Sequence, residues 1–478
     1  MNRRTALLAL LSVTVGLSLF SSTGNASASP VTPPQPAPGS DVDTEATAKL
    51  QALLRLDTTN PPGSEADAAR LIAGWLAAEG IASEVFESAP GRLNLVARLK
   101  GTGSTQPLLL LNHLDVVMAE PTRWSHPPFA AEIHDGTLWG RGALDMKGLG
   151  IMELMAFLHL KRQGIPLKRD VVFCAVADEE AGGDFGAKWM WQHHPEAVTC
   201  SEVLNEGGAG MTMANGATIM GIQTAERGNV WVRVTASGKP GHGAQERPDG
   251  AARRLIRALA RLEAAPHHYE LGPQAQSLLK AIGSTETGLR QFILTNLDKQ
   301  WLLDMVAPTL IQTQPQLAPM LGMTINPTVL KAGSKVNVIP SEASVEIDMR
   351  MLPNYSIEQT LNYLKATLAD PSLTYTIIDA KAGGSNAPDG ELFKALGEAS
   401  KAEYPGIVVS EMLTPGGMTD STFFRARGIR AYGLMPIIAS TEQLASMHGD
   451  NENITLAQLA AGTRVVVNAV VSAARLTP

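Results

Sequence analysis

Two histidines and a set of carboxylates stand where apolar runs of this chain break off, and their types match the ligands of a divalent cation. His113-Leu114-Asp115 follows the run Leu108 to Leu111, Asp178-Glu179-Glu180 follows Val171 to Ala177, and Glu206 follows Glu202 to Asn205. Asp145 precedes a helical pattern, and His448 lies in a polar loop near the end. A buried strand gains nothing by ending in ionisable groups unless something offsets their desolvation, and a divalent ion does that best. Nitrogen and oxygen donors in this mixture suit paired zinc or a similar ion. Adjacent Glu179 and Glu180 can divide the work, one binding metal while the other stays free as a general base. The expected chemistry is metal-dependent hydrolysis.

Each stretch has a plainer reading when taken alone. His113-x-Asp115 would serve as a polar turn, Asp145 as the N-cap of the following helix, Asp178 to Glu180 as a solvated acidic loop, and His448 as nothing in particular. Their common position carries the argument, because open sheets with helical crossovers bind ligands beyond the carboxyl ends of their strands.

The elements that must position these residues are legible as alternation. Helical spacing covers 43–56 and 65–80, separated by the breaker Asn60-Pro61-Pro62-Gly63, and strands are expected at 93–100, 107–112, 171–177 and 202–205 with a helix at 147–163. Continuous apolar strands between helices predict an α/β fold, a mostly parallel sheet covered by helices. The style changes near Gln223. Val230, Val232 and Val234 alternate with polar residues, a helix is expected at 250–264, and alternation returns at 344–350 and 374–378, which predicts a smaller inserted α+β domain. The expected division is 42–222 and 391–478 for the larger domain and 223–390 for the insert. Within the insert, 265–325 is partly helical and its pattern assigns it no role.

Composition narrows the class. A chain of 478 residues that is 44% hydrophobic can bury more than one core, and a net charge of -7 without a long basic run excludes a nucleic-acid partner. Arg3-Arg4, the apolar stretch Ala6 to Phe20 and the small residues Ala26-Ser27-Ala28 predict a signal peptide over 1–28, hence export to the periplasm or medium without a stable membrane anchor. Asn2-Arg3-Arg4-Thr5-Ala6-Leu7-Leu8 fits a twin-arginine route; an ordinary charged start fits the general route equally. A proline-rich linker is expected over 29–41. Cys174 and Cys200 are too few for a disulfide framework, although an exported pair could join; Cys174, inside an apolar run, reads as a small buried thiol.

Further motifs complete a familiar order: Gly140-Arg141-Gly142-x-x-Asp145-x-Lys147-Gly148, Gly241-His242-Gly243, Lys335-Val336-Asn337-Val338-Ile339-Pro340, Asp348-x-Arg350 and Gly416-Gly417-x-x-Asp420. With the stretches above, they make the chain, from about Ala46 to its last helix, resemble the aminoacylase, carboxypeptidase G and carboxypeptidase S family of co-catalytic zinc hydrolases, which includes acetylornithine deacetylase and succinyl-diaminopimelate desuccinylase. The resemblance implies two zinc ions, with Co2+ or Mn2+ as substitutes. One would be held by His113, Asp145 and Glu206, the other by Asp145, Glu180 and His448, so that Asp145 bridges. Glu179 would be the base and proton shuttle and Asp115 the partner of His113. The insert would act as lid and dimerisation domain, making a homodimer. His242 would meet the oxyanion, and Asn337, Arg350 and Gly417 would lie near substrate, where the Arg350 fork suits a carboxylate. Read without the family, His242 between glycines is a flexible turn and Arg350 a charge at a strand end.

The implied substrates are small peptides or N-acyl amino acids, cleaved in carboxypeptidase, dipeptidase or aminoacylase fashion. The enlarged insert and Trp139-Gly140-Arg141-Gly142 look closest to the carboxypeptidase S branch and its secreted N-acyl amino acid hydrolase relatives. Two rival readings are an exported metal- or peptide-binding protein without turnover, against which Glu179 speaks because binding does not need it, and a deacylase or desuccinylase of a biosynthetic intermediate, against which the signal segment speaks.

Overall fold

The computed structural model describes residues 41–313, 315–414 and 416–476. The expected signal peptide, 1–28, and the expected linker up to residue 40 lie outside the described residues, and Asp41 already belongs to the first described helix, Asp41–Leu54.

Four neighbouring strands, Val171–Val176, Leu108–His113, Glu202–Thr212 and Arg430–Ala439, run parallel at the centre of a nine-stranded sheet. Antiparallel partners flank them, with Ser83–Ala89 and Arg92–Leu99 on one side and Thr218–Glu226 on the other. Period-two alternation explains why the leucine run has no polar break. Leu108 and Leu110 face one apolar layer, Leu109 and Leu111 the other, and all four are buried. The first layer is closed by helices Asp41–Leu54, Lys147–Arg162, Glu391–Glu403 and Leu456–Ala474; the second contains Met190 and Phe424 from helices Ala187–His193 and Ser421–Arg425. Helix Leu456–Ala474 is long and apolar enough to cross a membrane, but Val465, Val466, Ala469 and Val470 are buried in the first layer. Cys174 and Cys200 are free, buried thiols of the second layer.

A second sheet of four antiparallel strands has the order Thr324–Ala332, Glu342–Met351, Gly228–Ser237, Thr374–Lys381. One face packs Val230, Val232, Val234, Val345 and Ile347 against Leu255 and Leu364 of helices Ala251–Ala264 and Ile357–Leu368. The chain leaves the large sheet after Glu226, at the end of strand Thr218–Glu226, so Gln223 to Glu226 belong to the large sheet. It returns at Gly384–Ser385, which pairs with Glu226 and Ala225. The two crossings touch: a Cβ on Gly383 would meet the Glu226 carbonyl oxygen at 2.4 Å and the Gly228 nitrogen at 2.6 Å. Only glycine allows that approach.

Residues 265–325 contain helices Pro273–Ser284, Gly288–Thr295 and Gln300–Thr313. They enclose their own core, including Leu279, Ile282, Leu303 and Leu310, and this core meets Ile219, Val408 and Met412 of the large sheet. The segment is therefore inserted in sequence into the small domain but packed on the large one. A three-stranded sheet of Glu132–His134, Thr137–Trp139 and Asn453–Thr455 brings residues near 450 beside those near 140.

Candidate metal centre

At the carboxyl ends of the parallel strands, five of the expected ligands converge. His113 closes its strand and is buried; its Nε2 lies 3.2 Å from Asp145 Oδ1 and 3.5 Å from Glu206 Oε1. His448 Nε2 lies 3.1 Å from Asp145 Oδ2 and 3.3 Å from Glu180 Oε2. Each oxygen of Asp145 thus faces a different imidazole, which divides the donors into two triplets that share one carboxylate. Donor atoms of His113, Glu179 and Glu206 also lie within 4.8 Å of one another, so Glu179 stands at the same place.

The chain folds this way locally for identifiable reasons. Asp145 does not cap the helix after it: Met146 is the N-cap, with no side-chain cap bond, and the Asp145 carboxylate turns to the two histidines. Its loop is clamped by Glu452, which accepts from the backbone N–H of Leu144 (2.7 Å) and Asp145 (2.9 Å) through Oε1 and of Gly142 (2.8 Å) through Oε2. Arg141 pairs with Glu452 Oε2 at 2.7 Å and donates to the carbonyls of Ser446, Met447 and Gly449, so the same contact fixes the loop that carries His448. Glu206 is not at a strand end, as the apolar run suggested, but inside strand Glu202–Thr212. Gly207 follows at φ +128°, and the pairing with Arg430–Ala439 shifts register between Gly433 and Met435, a bulge that redirects the side chain.

Asp115 holds His113 differently from the expected carboxylate–imidazole pair. His113 Nδ1 donates to the Asp115 carbonyl at 2.9 Å, while the carboxylate is 3.5 Å away. That carboxylate instead accepts from the backbone N–H of Glu179 (3.1 Å) and Glu180 (3.1 Å) and from Asn60 (2.8 Å). Asp115 therefore fixes both the histidine tautomer and the acidic turn. Asp178, at φ 69°, accepts from Asn60, Arg92 and the Phe185 N–H, and Arg92 is paired in turn with buried Glu65. Asp178 is consequently committed to the turn.

The electrostatics ask for a cation. Desolvation, with Glu206 adding to it, raises the Glu179 carboxyl well above the usual range, and desolvation with Asp145 nearby pushes Glu206 up to about 8. Burial opposes charge on His113, yet Glu206, Asp115 and Asp145 raise its pKa well above the usual imidazole value. Asp145 and Glu180 push His448 up to about 10. Glu180 Oε1 is buried and has no hydrogen-bond partner among the described residues. His113 Nδ1 is committed to a carbonyl, so Nε2 is the ring atom left to face Asp145 and Glu206, and a bound cation can take the place of the proton that these crowded acids otherwise hold there. The donor set and the orphaned oxygen fit a metal pair.

The remaining expected residues lie elsewhere. His242 and Val338 pair in a two-residue ladder, and Gly243 N–H donates to Asn337 O at 2.8 Å, so His242 and Asn337 are neighbours, both exposed. No hydrogen bond joins either to the metal cluster among the described residues. Arg350, expected near substrate with a fork suited to a carboxylate, is held by Asp348 at 2.9 and 3.2 Å and donates to Gly416 O at 3.2 Å, beside exposed Gly417. Asp420, quoted above only within its motif, is buried next to this cluster, and desolvation raises its carboxyl well above the usual range. Sequence reasoning missed Glu452 and Asn60; Glu452, among polar residues after His448, gave no apolar context to flag it.

Residues 109–472 match peptidase family M20/M25/M40, and the chain belongs to that family of amide-bond hydrolases, which act on peptides or N-acyl amino acids. It is 28% identical to an N-fatty-acyl-amino acid synthase/hydrolase of Xenopus tropicalis over 73% of this chain and 69% of the relative. It is 28% identical to aminoacylase-1B of Rattus norvegicus over 84% and 88%. The M20 family metallo-carboxypeptidase Sso-CP2 of Sulfolobus solfataricus has the same fold, with a TM-score of 0.65 at 18% identity, covering 90% of this chain and 99% of that one.

Proposed function

We propose that this chain is an exported dizinc hydrolase that cleaves the amide bond of N-acyl amino acids or small peptides bearing a free carboxylate. The observation that carries the proposal is Asp145, whose two oxygens each face a different histidine, with Glu180 completing one triplet and Glu206 the other. His113, Asp145 and Glu206 would hold one ion and Asp145, Glu180 and His448 the second. When bound, the pair would supply Lewis acidity toward the scissile carbonyl and toward water.

The chain's own residues do the rest. Glu179, desolvated and grouped with His113 and Glu206, accepts a proton from the attacking water and returns it to the leaving amine nitrogen. Buried Asp115 keeps the turn that carries Glu179 and Glu180 in register through its two backbone contacts. His242 Nδ1 accepts the Ala244 N–H at 3.2 Å, which places the ring proton on Nε2, a donor suited to an oxyanion. Arg350 and the loop at Gly417 form a place for the substrate carboxylate once Asp348 releases part of the fork, and Asn337 lies beside His242. Since His242 is exposed and unconnected to the metal cluster, it reaches the scissile bond by closure of the small sheet or from the other chain of a homodimer.

The test uses the purified full chain. Elemental analysis should find about two zinc-like ions per chain, and mass spectrometry of pooled N-acyl amino acids and dipeptides should show cleavage that chelation abolishes and zinc restores. Trace metal, or metal without hydrolysis of either pool, would sink the reading.

A further inference from the structure

Outside the dinuclear centre, one other set of mixed donors converges among the described residues. His126, Glu132 and His134 each present one ligand atom, and the three atoms lie within 4.8 Å of one another. Glu132 and His134 stand two apart on strand Glu132–His134 and so project from the same face. The hairpin turn Asp135-Gly136, with φ of 49° and 72°, returns the chain as Thr137–Trp139. His126 comes from the preceding loop, where Ser125 N–H donates to Asn451 Oδ1 at 2.6 Å, and its ring lies 4.7 Å from that of Trp139 and stacks on His134 at 4.2 Å. Glu132 Oε2 is 3.3 Å from His126 Nδ1 and 2.9 Å from His134 Nε2.

We propose that His126, Glu132 and His134 form a third, peripheral site for a borderline transition-metal ion of the Zn2+, Ni2+ or Cu2+ type. Metal–ligand bonds of about 2.0–2.2 Å in a tetrahedron separate the donor atoms by about 3.3–3.6 Å; the His126 contact at 3.3 Å meets this spacing, and the His134 contact at 2.9 Å would widen by about half an ångström on binding. Two imidazoles and a carboxylate are a donor set that selects such ions over Mg2+ or Ca2+. Two imidazole-to-carboxylate hydrogen bonds would give the same Glu132 contacts, and the metal titration below separates the two arrangements. To bind, each neutral ring carries its N–H on the outer nitrogen and leaves the inner lone pair to the metal. The partial exposure of all three side chains leaves coordination positions open to water and makes the site reachable and weaker than the buried centre. None of its ligands is shared with that centre, so the outcome does not turn on the zinc assignment there.

The test is a Cu2+ titration of the full chain with its own metals in place, followed by electron paramagnetic resonance and, with Ni2+, by calorimetry. One equivalent beyond the resident metal should bind, with nitrogen couplings from two imidazoles. His126→Ala with His134→Ala should weaken that equivalent by about 100-fold, and Glu132→Gln, which keeps the shape, by about tenfold, within the range that changes around a metal site produce. The melting temperature and the resident metal content of both variants should stay as in the parent. If no extra equivalent binds, or if the variants bind it as tightly as the parent, the proposal is wrong; should the double variant fail to fold, Glu132→Gln alone decides.

Discussion

At the end of the large sheet and on the four-stranded sheet, polar residues are held in opposite ways. Around Asp145 the side chains are largely buried and tied by groups from distant stretches: Asn60 reaches Asp115 and Asp178, and Glu452 reaches Gly142, Leu144 and Asp145. On the small sheet, His242 and Asn337 are exposed and contact mainly each other's segments, while Arg350 leans on Asp348 two residues away. The first region is preorganised for a fixed charge. The second presents donors whose partner arrives with substrate or with another chain, and it is joined to the large sheet by the paired crossings at Gly228 and Gly383, by the Arg350 contact to Gly416 and by the small apolar cluster of Ala225, Leu352 and Leu413.

Variants should separate these regions. Glu179→Gln cannot accept a proton but keeps the turn's shape, so kcat should fall by about 10²–10⁴-fold while elemental analysis shows the metal retained; equal loss of metal would make Glu179 a ligand and not the base. Glu452→Ala should cost about 3–5 kcal/mol, because it leaves Arg141 buried without its counter-charge. Denaturant unfolding should show this loss together with depleted metal, since the loops of Asp145 and His448 share that clamp. His242→Ala should lower kcat by about 10²-fold, as loss of one oxyanion donor does, with stability and metal content unchanged. Any metal loss in that variant would erase the contrast between the regions.

The smallest effect is expected at Glu153, a buried carboxyl that accepts from Asn112 at 2.9 Å and whose Oε1 has no partner among the described residues. Desolvation raises its folded pKa well above the usual value. A folded pKa above the unfolded one means that the native state binds more protons, so Glu153 favours folding below its unfolded pKa near 4.5 and this contribution is lost as pH rises toward the folded value. Glu153→Gln removes the titration and should raise the melting temperature more at pH 8 than at pH 5. A variant that melts with the same offset at both would mean Glu153 does not titrate differently on folding.

Much of this architecture is local in origin. Leu108 to Leu111, bounded by Pro107 and His113, specify a strand buried on both faces; Val230, Val232 and Val234 specify one buried on a single face; each follows from side-chain period alone. The residue types at the strand ends likewise announced a cation site, because desolvated acids beside imidazoles have few other uses. What local pattern left undecided was aim. Asp145 before a helix reads equally as cap or ligand, and only Glu452, more than 300 positions away, turns it to the histidines. The run ending at Asn205 gave no sign that strand Glu202–Thr212 continues and bulges at Gly207, since that shift depends on pairing with Arg430–Ala439. The apolar faces of 273–313 could have covered either sheet, and the choice of Val408 and Met412 is a contact between segments that share no sequence signal. Residue type and spacing thus determined which chemistry the chain can hold and which faces it buries, whereas the direction of each carboxylate and the allegiance of the helical insert were decided by long-range hydrogen bonds and packing, which no single stretch of sequence encodes.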